Sequence, residues 1–186
     1  MSQIGSLKYT QLAYFSQPAA DRVIYRAMHK KVVTNIVELG VGYAVRAQRM
    51  IALATRNDSD DKIHYTGIDF FEDRPPSEPG ITLKRAYRLL RQQGASVRLV
   101  PGDPFTALAR VSNSLTGTDL LVIAADQDAD ALARAWMFVP RMIHEHSLVF
   151  LQQTDQLGKP SRFLQMTAAR VDELAGLGLR SLRAAA

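Results

Sequence analysis

Residues 35–44 read N-I-V-E-L-G-V-G-Y-A, and this stretch decides the fold class. An apolar, β-branched run stops at Glu38, and Gly40 and Gly42 follow at spacing two. Next comes a helical pattern over 44–56, with Ala47, Met50, Ile51 and Ala54 on one stripe. Strand, glycine turn, helix is the order of an α/β protein. The glycines let the chain turn sharply and let a ligand approach the backbone, while the helix N-terminus points at that ligand. A dinucleotide fingerprint, G-x-G-x-x-G/A, needs a small residue at 45, where this chain has Val45. Glu38 would also set a carboxylate beside a pyrophosphate. Both residues count against a nicotinamide dinucleotide.

The same alternation extends in both directions. A helix is expected over 18–31, strands over 34–39 and 63–69, and a polar turn, N-D-S-D-D-K, at 57–62. The segment E-D-R-P-P-S-E-P-G (72–80) holds three prolines and reads as loop. Helices over 81–93 and 104–112 alternate with strands at 97–100 and 119–124. A helix over 129–143 should kink or end at Pro140, and a strand at 147–151 follows. Beyond it the pattern suggests a helix over 161–175 and a last strand at 178–183. The strands are continuous apolar runs, as expected when both faces of a sheet are covered. The expected fold is therefore a doubly wound, mainly parallel α/β sheet with helices on both faces. The whole chain, 1–186, reads as a single domain: an N-terminal helical extension (1–31) and a core (32–186).

The chain has no cysteine, which removes thiolate chemistry, disulfides and Cys-based zinc sites. No secretory leader or membrane-spanning apolar run is visible, so a cytoplasmic location is the expectation. The net charge of +5 raises the question of nucleic acid. Lys84, Arg85, Arg88 and Arg91 form the densest basic run, but no nucleic-acid motif accompanies them, and a solvated helix face explains them better.

In a doubly wound sheet, ligands sit at the carboxyl ends of the strands, so the residues there carry the functional reading. The second strand ends in G-I-D-F-F-E, where Asp69 is placed to accept both hydroxyls of a ribose or to cap the loop. The third ends in V-P-G-D-P-F, where Asp103 either accepts an adenine amino group or caps the helix that Pro104 begins. The fourth ends at Asp126, the carboxylate best placed to face a second substrate.

Three acids, Glu38, Asp69 and Asp103, thus close three successive strands. With Glu38-Leu-Gly40-Val-Gly42-Tyr-Ala44 in place of E-x-G-x-G-x-G, the chain resembles the class I S-adenosylmethionine-dependent methyltransferases over about residues 33–151. A carboxylate suits that cofactor, which carries a sulfonium and an ammonium and no phosphate. Within the superfamily, D-F-F-E-D-R-P (69–75) and E-L-G-V (38–41) resemble macrocin-type O-methyltransferases. The resemblance implies a Rossmann-like methyltransferase fold, S-adenosylmethionine held by Glu38, Gly40, Gly42, Asp69 and Asp103, and methyl transfer to a small-molecule oxygen or nitrogen acceptor beside Asp126.

Two positions depart from the pattern. Ala44 replaces the third glycine, and Ala124 stands where related enzymes carry the first acid of a metal-binding D-G-D stretch. A reaction without a metal is therefore expected. Asp126, Asp128 and Asp130 have the spacing of a calcium loop without its glycine and distal glutamate, so Asp128 and Asp130 read as helix N-terminal residues. His144-Glu145-His146 and His64 fall at the opposite edge of the sheet from the expected site. Gln152, Gln153 and Thr154 end the fifth strand and could line a pocket. The aromatic N-terminal segment (Tyr9, Tyr14, Phe15) would fold over the cofactor, make a contact between copies in a homo-oligomer, or pack on the sheet edge. The alternative function is a binding protein that kept the fold and lost the activity.

Overall fold

A computed structural model describes residues 6–29, 31–55, 62–75 and 80–184. Most of the expected polar turn at 57–62, and residues 76–79 of the proline-rich loop, lie outside the described residues.

Among the described residues there are six strands: β1 (Asn35–Leu39), β2 (His64–Asp69), β3 (Ser96–Pro101), β4 (Thr118–Ile123), β5 (Ile143–Thr154) and β6 (Pro160–Gln165). They form one sheet in the order β3-β2-β1-β4-β5-β6. The first five are parallel, and β6 runs antiparallel to β5. Seven α-helices accompany the strands: α1 (Ser6–Thr10), α2 (Arg22–Met28), α3 (Val45–Ala54), α4 (Leu83–Arg91), α5 (Pro104–Val111), α6 (Ala129–Ala135) and α7 (Ala168–Ala184).

Alternate residues of each strand feed two different cores. Ile36 of β1, Tyr65 of β2, Leu120 and Val122 of β4 and Phe150 of β5 pack with α2, α3 and α4. Val37, Leu39, Ile68, Leu121, Ile123 and Val149 face the other way, against α5, α6, α7 and the turn holding Trp136. This double coverage explains the unbroken apolar runs in the sequence.

At the amino end of the sheet, Asp119 ties β4 to the start of β1. Its Oδ2 accepts from the Thr34 and Asn35 amides at 2.8 Å each and from the Thr34 hydroxyl at 2.9 Å. His144 lies 3.1 Å from the other oxygen, so this histidine belongs to the framework at the opposite edge from the glycine turn.

The carboxyl-terminal third differs from the sequence reading in two places. The expected helix over 161–175 is instead β6 followed by α7, and the expected strand at 178–183 lies inside α7. The hairpin explains the first difference. Asp155 Oδ1 accepts from the amides of Leu157 and Lys159 at 2.8 and 2.9 Å, and Gly158 takes φ +72°, so D-Q-L-G-K is a tight turn. Extended pairing then wins residues 160–165 and buries Phe163 against the first core. The second difference follows from Gly178. A Cβ there would stand 2.7 Å from the Ala133 carbonyl oxygen, so this glycine lets α7 lie directly on α6. The helix expected over 129–143 ends earlier, at Ala135, and Pro140 lies inside a 3₁₀ turn over Trp136–Arg141.

Candidate active site

The turn after β1 uses three left-handed residues at spacing two: Gly40 (φ +85°), Gly42 (φ +56°) and Ala44 (φ +60°). Ala44 therefore adopts the conformation of the glycine it replaces, a conformation that disfavours a side chain. Its methyl group is buried in the first core. The two glycines serve different ends. A Cβ on Gly40 would meet Asp126 Oδ1 and Gln127 Nε2 at 2.6 Å and the Ala124 Cβ at 2.7 Å. A Cβ on Gly42 would meet nothing within 4 Å. Gly40 thus admits the segment after β4, and Gly42 leaves its backbone open to a ligand.

Above this turn lies a cavity of about 590 Å³, within the usual size range of small-molecule sites. Gly40, Gly42 and Tyr43 form its floor, and Arg46, Arg74, Asp126 and Gln152 stand around it. Gln17, Pro18 and Asp21 contribute a wall from the N-terminal segment. That segment therefore reaches the expected site, while its Tyr9, Leu12 and Ala13 are buried in the first core and its Tyr14 and Phe15 stay exposed. A smaller cavity of about 250 Å³ lies at the amino ends of β1–β3, away from the glycine turn.

Glu38 has different surroundings from those the sequence suggested. It is fully buried and does not line the cavity. Its carboxylate accepts from Arg46 Nε at 2.6 Å and from the Tyr65 hydroxyl. Arg46 also donates to the Gly40 carbonyl oxygen at 2.9 Å and packs over the Phe163 ring. Burial pushes the Glu38 carboxyl above its ordinary range, against Arg46 and Tyr65, which favour its charged form. Burial likewise disfavours charge on Arg46, but Glu38 and Asp21 outweigh it and hold its pKa above the ordinary value. Glu38 thus reaches the site through Arg46.

Asp69 lies at the end of β2, as expected, and both its oxygens are engaged. Oδ2 accepts from the amides of Val41 (2.7 Å) and Gly42 (3.0 Å). Oδ1 accepts from the Phe71 amide at 3.0 Å. The Arg74 guanidinium then forms a two-pronged pair with both oxygens at 2.7 Å. Burial raises the Asp69 pKa, but Arg74 and these amides outweigh it, and the net shift is downward. Phe71, with φ +53°, is the second non-glycine residue held in the left-handed region, and that conformation accompanies its amide's bond to Asp69. A ligand diol could reach Asp69 only by displacing Arg74.

Arg74 also joins Asp126, with Nη2 3.0 Å from Oδ2. One guanidinium therefore bridges the acids that close β2 and β4, backed by Gly80, where a Cβ would meet the Arg74 Cδ at 2.7 Å. The other oxygen of Asp126 accepts from the Gln127 side chain at 2.8 Å. Asp103 takes the capping role that was open in the sequence: Oδ1 accepts from the Thr106 amide at 3.0 Å, Pro104 is the first residue of α5, and the side chain does not line the cavity. Asp128 caps α6 through the Ala131 amide at 2.7 Å, as expected. Among the described residues, no three His, Asp or Glu side chains converge as a metal site would require. No helix there is long and apolar enough to cross a membrane.

Sequence reasoning missed Arg46, Arg74 and Asp21. Arg46 did carry a signal, because a cation in the first turn of a helix opposes the helix dipole and needs compensating acids. Arg74 lies five residues after Asp69 inside a stretch read only as loop. Asp21 carried no signal, since an acid near a helix start is ordinary.

No family model matches the chain, and no curated protein matches its sequence. Solved structures do match. A TDP-rhamnose 3′-O-methyltransferase of calicheamicin biosynthesis superposes with a TM-score of 0.56 at 19% identity, over 81% of this chain and 65% of that one. A candidate O-methyltransferase from Nostoc punctiforme gives a TM-score of 0.50 at 13% identity, over 92% of this chain and 54% of that one. The chain thus spans 65% and 54% of the lengths of these two neighbours. The fold is the Rossmann-like fold of the S-adenosylmethionine-dependent methyltransferases.

Proposed function

We propose that the chain is an S-adenosylmethionine-dependent methyltransferase that acts on an oxygen or nitrogen of a small molecule without a metal ion. The observation that carries this reading is the open glycine turn at 40–42, hydrogen-bonded to Asp69 and facing a cavity at the carboxyl ends of β1 and β4. The residues present fit the cofactor. Gly42 leaves room beside its backbone, and Asp21 Oδ1 is a buried oxygen without a hydrogen-bond donor at the cavity wall. Gly40 and Gly42 would hold its amino-acid part, with Glu38 acting behind Arg46. Asp69 would take the ribose once Arg74 moves, and the adenine would lie toward the carboxyl end of β3, where Asp103 stays the cap of α5.

S-adenosylmethionine supplies a methyl group on a sulfonium, whose departure leaves a neutral thioether. The protein needs no nucleophile of its own, and its contribution is mainly to position the acceptor. Asp126, half-exposed at the cavity, is the carboxylate that would take the acceptor's proton. The Arg74 bridge to Asp126 limits that role until Asp69 receives another partner.

A second reading, a binding protein that does not transfer methyl groups, is favoured by the same bridge, because Arg74 ties up both carboxylates. One assay separates the two. Labelled S-adenosylmethionine is offered with a panel of small hydroxyl and amine acceptors, and methyl incorporation is counted. Methyltransferase activity predicts incorporation into at least one acceptor, reduced on the order of 10²-fold or more by Asp126→Asn. Cofactor binding without incorporation supports the second reading.

A further inference from the structure

We propose that Asp21 receives the protonated amino group of the bound cofactor, so that the N-terminal segment supplies a specificity-determining residue of the site. This inference rests on the proposed function above. Asp21 ends a 3₁₀ turn, Ala19–Asp21, and enters α2, outside the strand–turn–helix unit that forms the rest of the cavity floor. Its side chain is only 2% exposed. One oxygen accepts from the Tyr25 hydroxyl at 3.3 Å. The other, Oδ1, has no hydrogen-bond donor, although buried polar atoms are nearly always paired. Arg46 Nη1 stands 3.6 Å from it, close enough for an ion pair but not hydrogen-bonded.

Arg46 directs its Nε to Glu38 and its Nη2 to the Gly40 carbonyl, and that anchoring holds Nη1 beyond hydrogen-bond distance of Asp21 Oδ1. Two buried acids, Asp21 and Glu38, share that one guanidinium. Arg49 adds a nearby positive charge, but its Nη1 donates to the Gln17 carbonyl at 2.7 Å and Asp21 Oδ1 receives no hydrogen bond from it. A buried carboxylate of this kind calls for a cation that also brings N–H donors. Burial raises the Asp21 pKa against Arg46, Tyr25 and Arg49, as expected of an acid still short of a partner.

The chemistry and position of Asp21 select one part of the cofactor. A sulfonium carries positive charge but no N–H, and an adenine amino group carries N–H but no charge. The α-ammonium carries both. Asp21 and Pro18 share the cavity with Pro160 of β6, whereas Asp103 follows β3 at the opposite edge of the sheet. Asp21 is therefore at the amino-acid end of the site and far from the adenine end.

The test is calorimetric titration of wild type and Asp21→Asn with two ligands. S-adenosylhomocysteine carries the ammonium, and 5′-methylthioadenosine lacks the amino-acid part. Wild type is expected to bind both. Asp21→Asn is expected to weaken S-adenosylhomocysteine on the order of 10- to 100-fold while leaving 5′-methylthioadenosine unchanged. Equal binding of S-adenosylhomocysteine by both proteins overturns the inference and leaves the proposed function intact. Equal weakening of both ligands also overturns it, because it makes Asp21 a structural residue. Binding of neither ligand by wild type overturns the proposed function and this inference with it. Asp21→Asn keeps an acceptor for Tyr25, and its unfolding midpoint checks its fold; Asp21→Ser repeats the comparison with a smaller side chain.

Discussion

Glu38→Ala is expected to lower the stability of the protein by about 3–5 kcal/mol, because it removes one member of a buried ion pair and leaves the other. Arg46 would keep its charge with only Asp21 beside it at 3.6 Å, and the Tyr65 hydroxyl would lose its acceptor in the core. For a chain of this size the loss corresponds to roughly 6–20 °C in the unfolding midpoint. Urea unfolding monitored by circular dichroism measures it directly. Glu38→Gln keeps an oxygen for Tyr65 and Arg46 and should lose less. A loss below about 1 kcal/mol for the alanine variant would mean that Glu38 is already neutral in the folded protein.

Gly40→Ala is the second large effect. Its φ of +85° lies where L-residues are strained, which costs roughly 1–2 kcal/mol. The new methyl group would also sit 2.6 Å from Asp126 and Gln127 and 2.7 Å from Ala124, an overpacking that typically costs about 1–3 kcal/mol. The sum is roughly 2–5 kcal/mol. The strain also has a place to go, because the segment after β4 can move off the glycine turn and carry Asp126 with it. Gly40→Ala should therefore lose both stability and cofactor affinity. Gly42→Ala, also at positive φ but with open space around its Cβ, should lose only the strain, roughly 1–2 kcal/mol. Equal losses at the two positions in paired unfolding curves would contradict the division of labour between them.

The fold was legible in the sequence wherever local pattern and tertiary surroundings agreed. β1, β2 and β4 are apolar runs flanked by helical periods, and each appears where expected. The carboxyl-terminal third was not legible, because R-F-L-Q fits either a helix face or a strand and only pairing with β5 decides between them. Tertiary contact settles such short segments, and local propensity is a weak guide there. At the site, the strand-end acids were found from position alone, but their partners were not. Asp69 and Asp126 share Arg74, and Glu38 holds Arg46, because folding brings together residues on different elements. A local reading of 69–75 showed a loop, and only the structure shows that its arginine covers the acid that begins it. The substitution at Ala44 turned out to be a matter of backbone conformation, with the turn keeping its left-handed geometry.

The proposed S-adenosylmethionine site is the cavity over Gly40 and Gly42. Thermal unfolding with S-adenosylmethionine, S-adenosylhomocysteine, NAD and buffer alone tests it most directly. A ligand at 100 times its dissociation constant adds about 2.7 kcal/mol, which is roughly 5–11 °C for a chain of this size. Such a shift is expected with both sulfur ligands and none with NAD. A larger shift is expected in Arg74→Ala, where the ribose no longer competes with a guanidinium for Asp69. Flat curves with both sulfur ligands, in wild type and in Arg74→Ala, would contradict the proposed site.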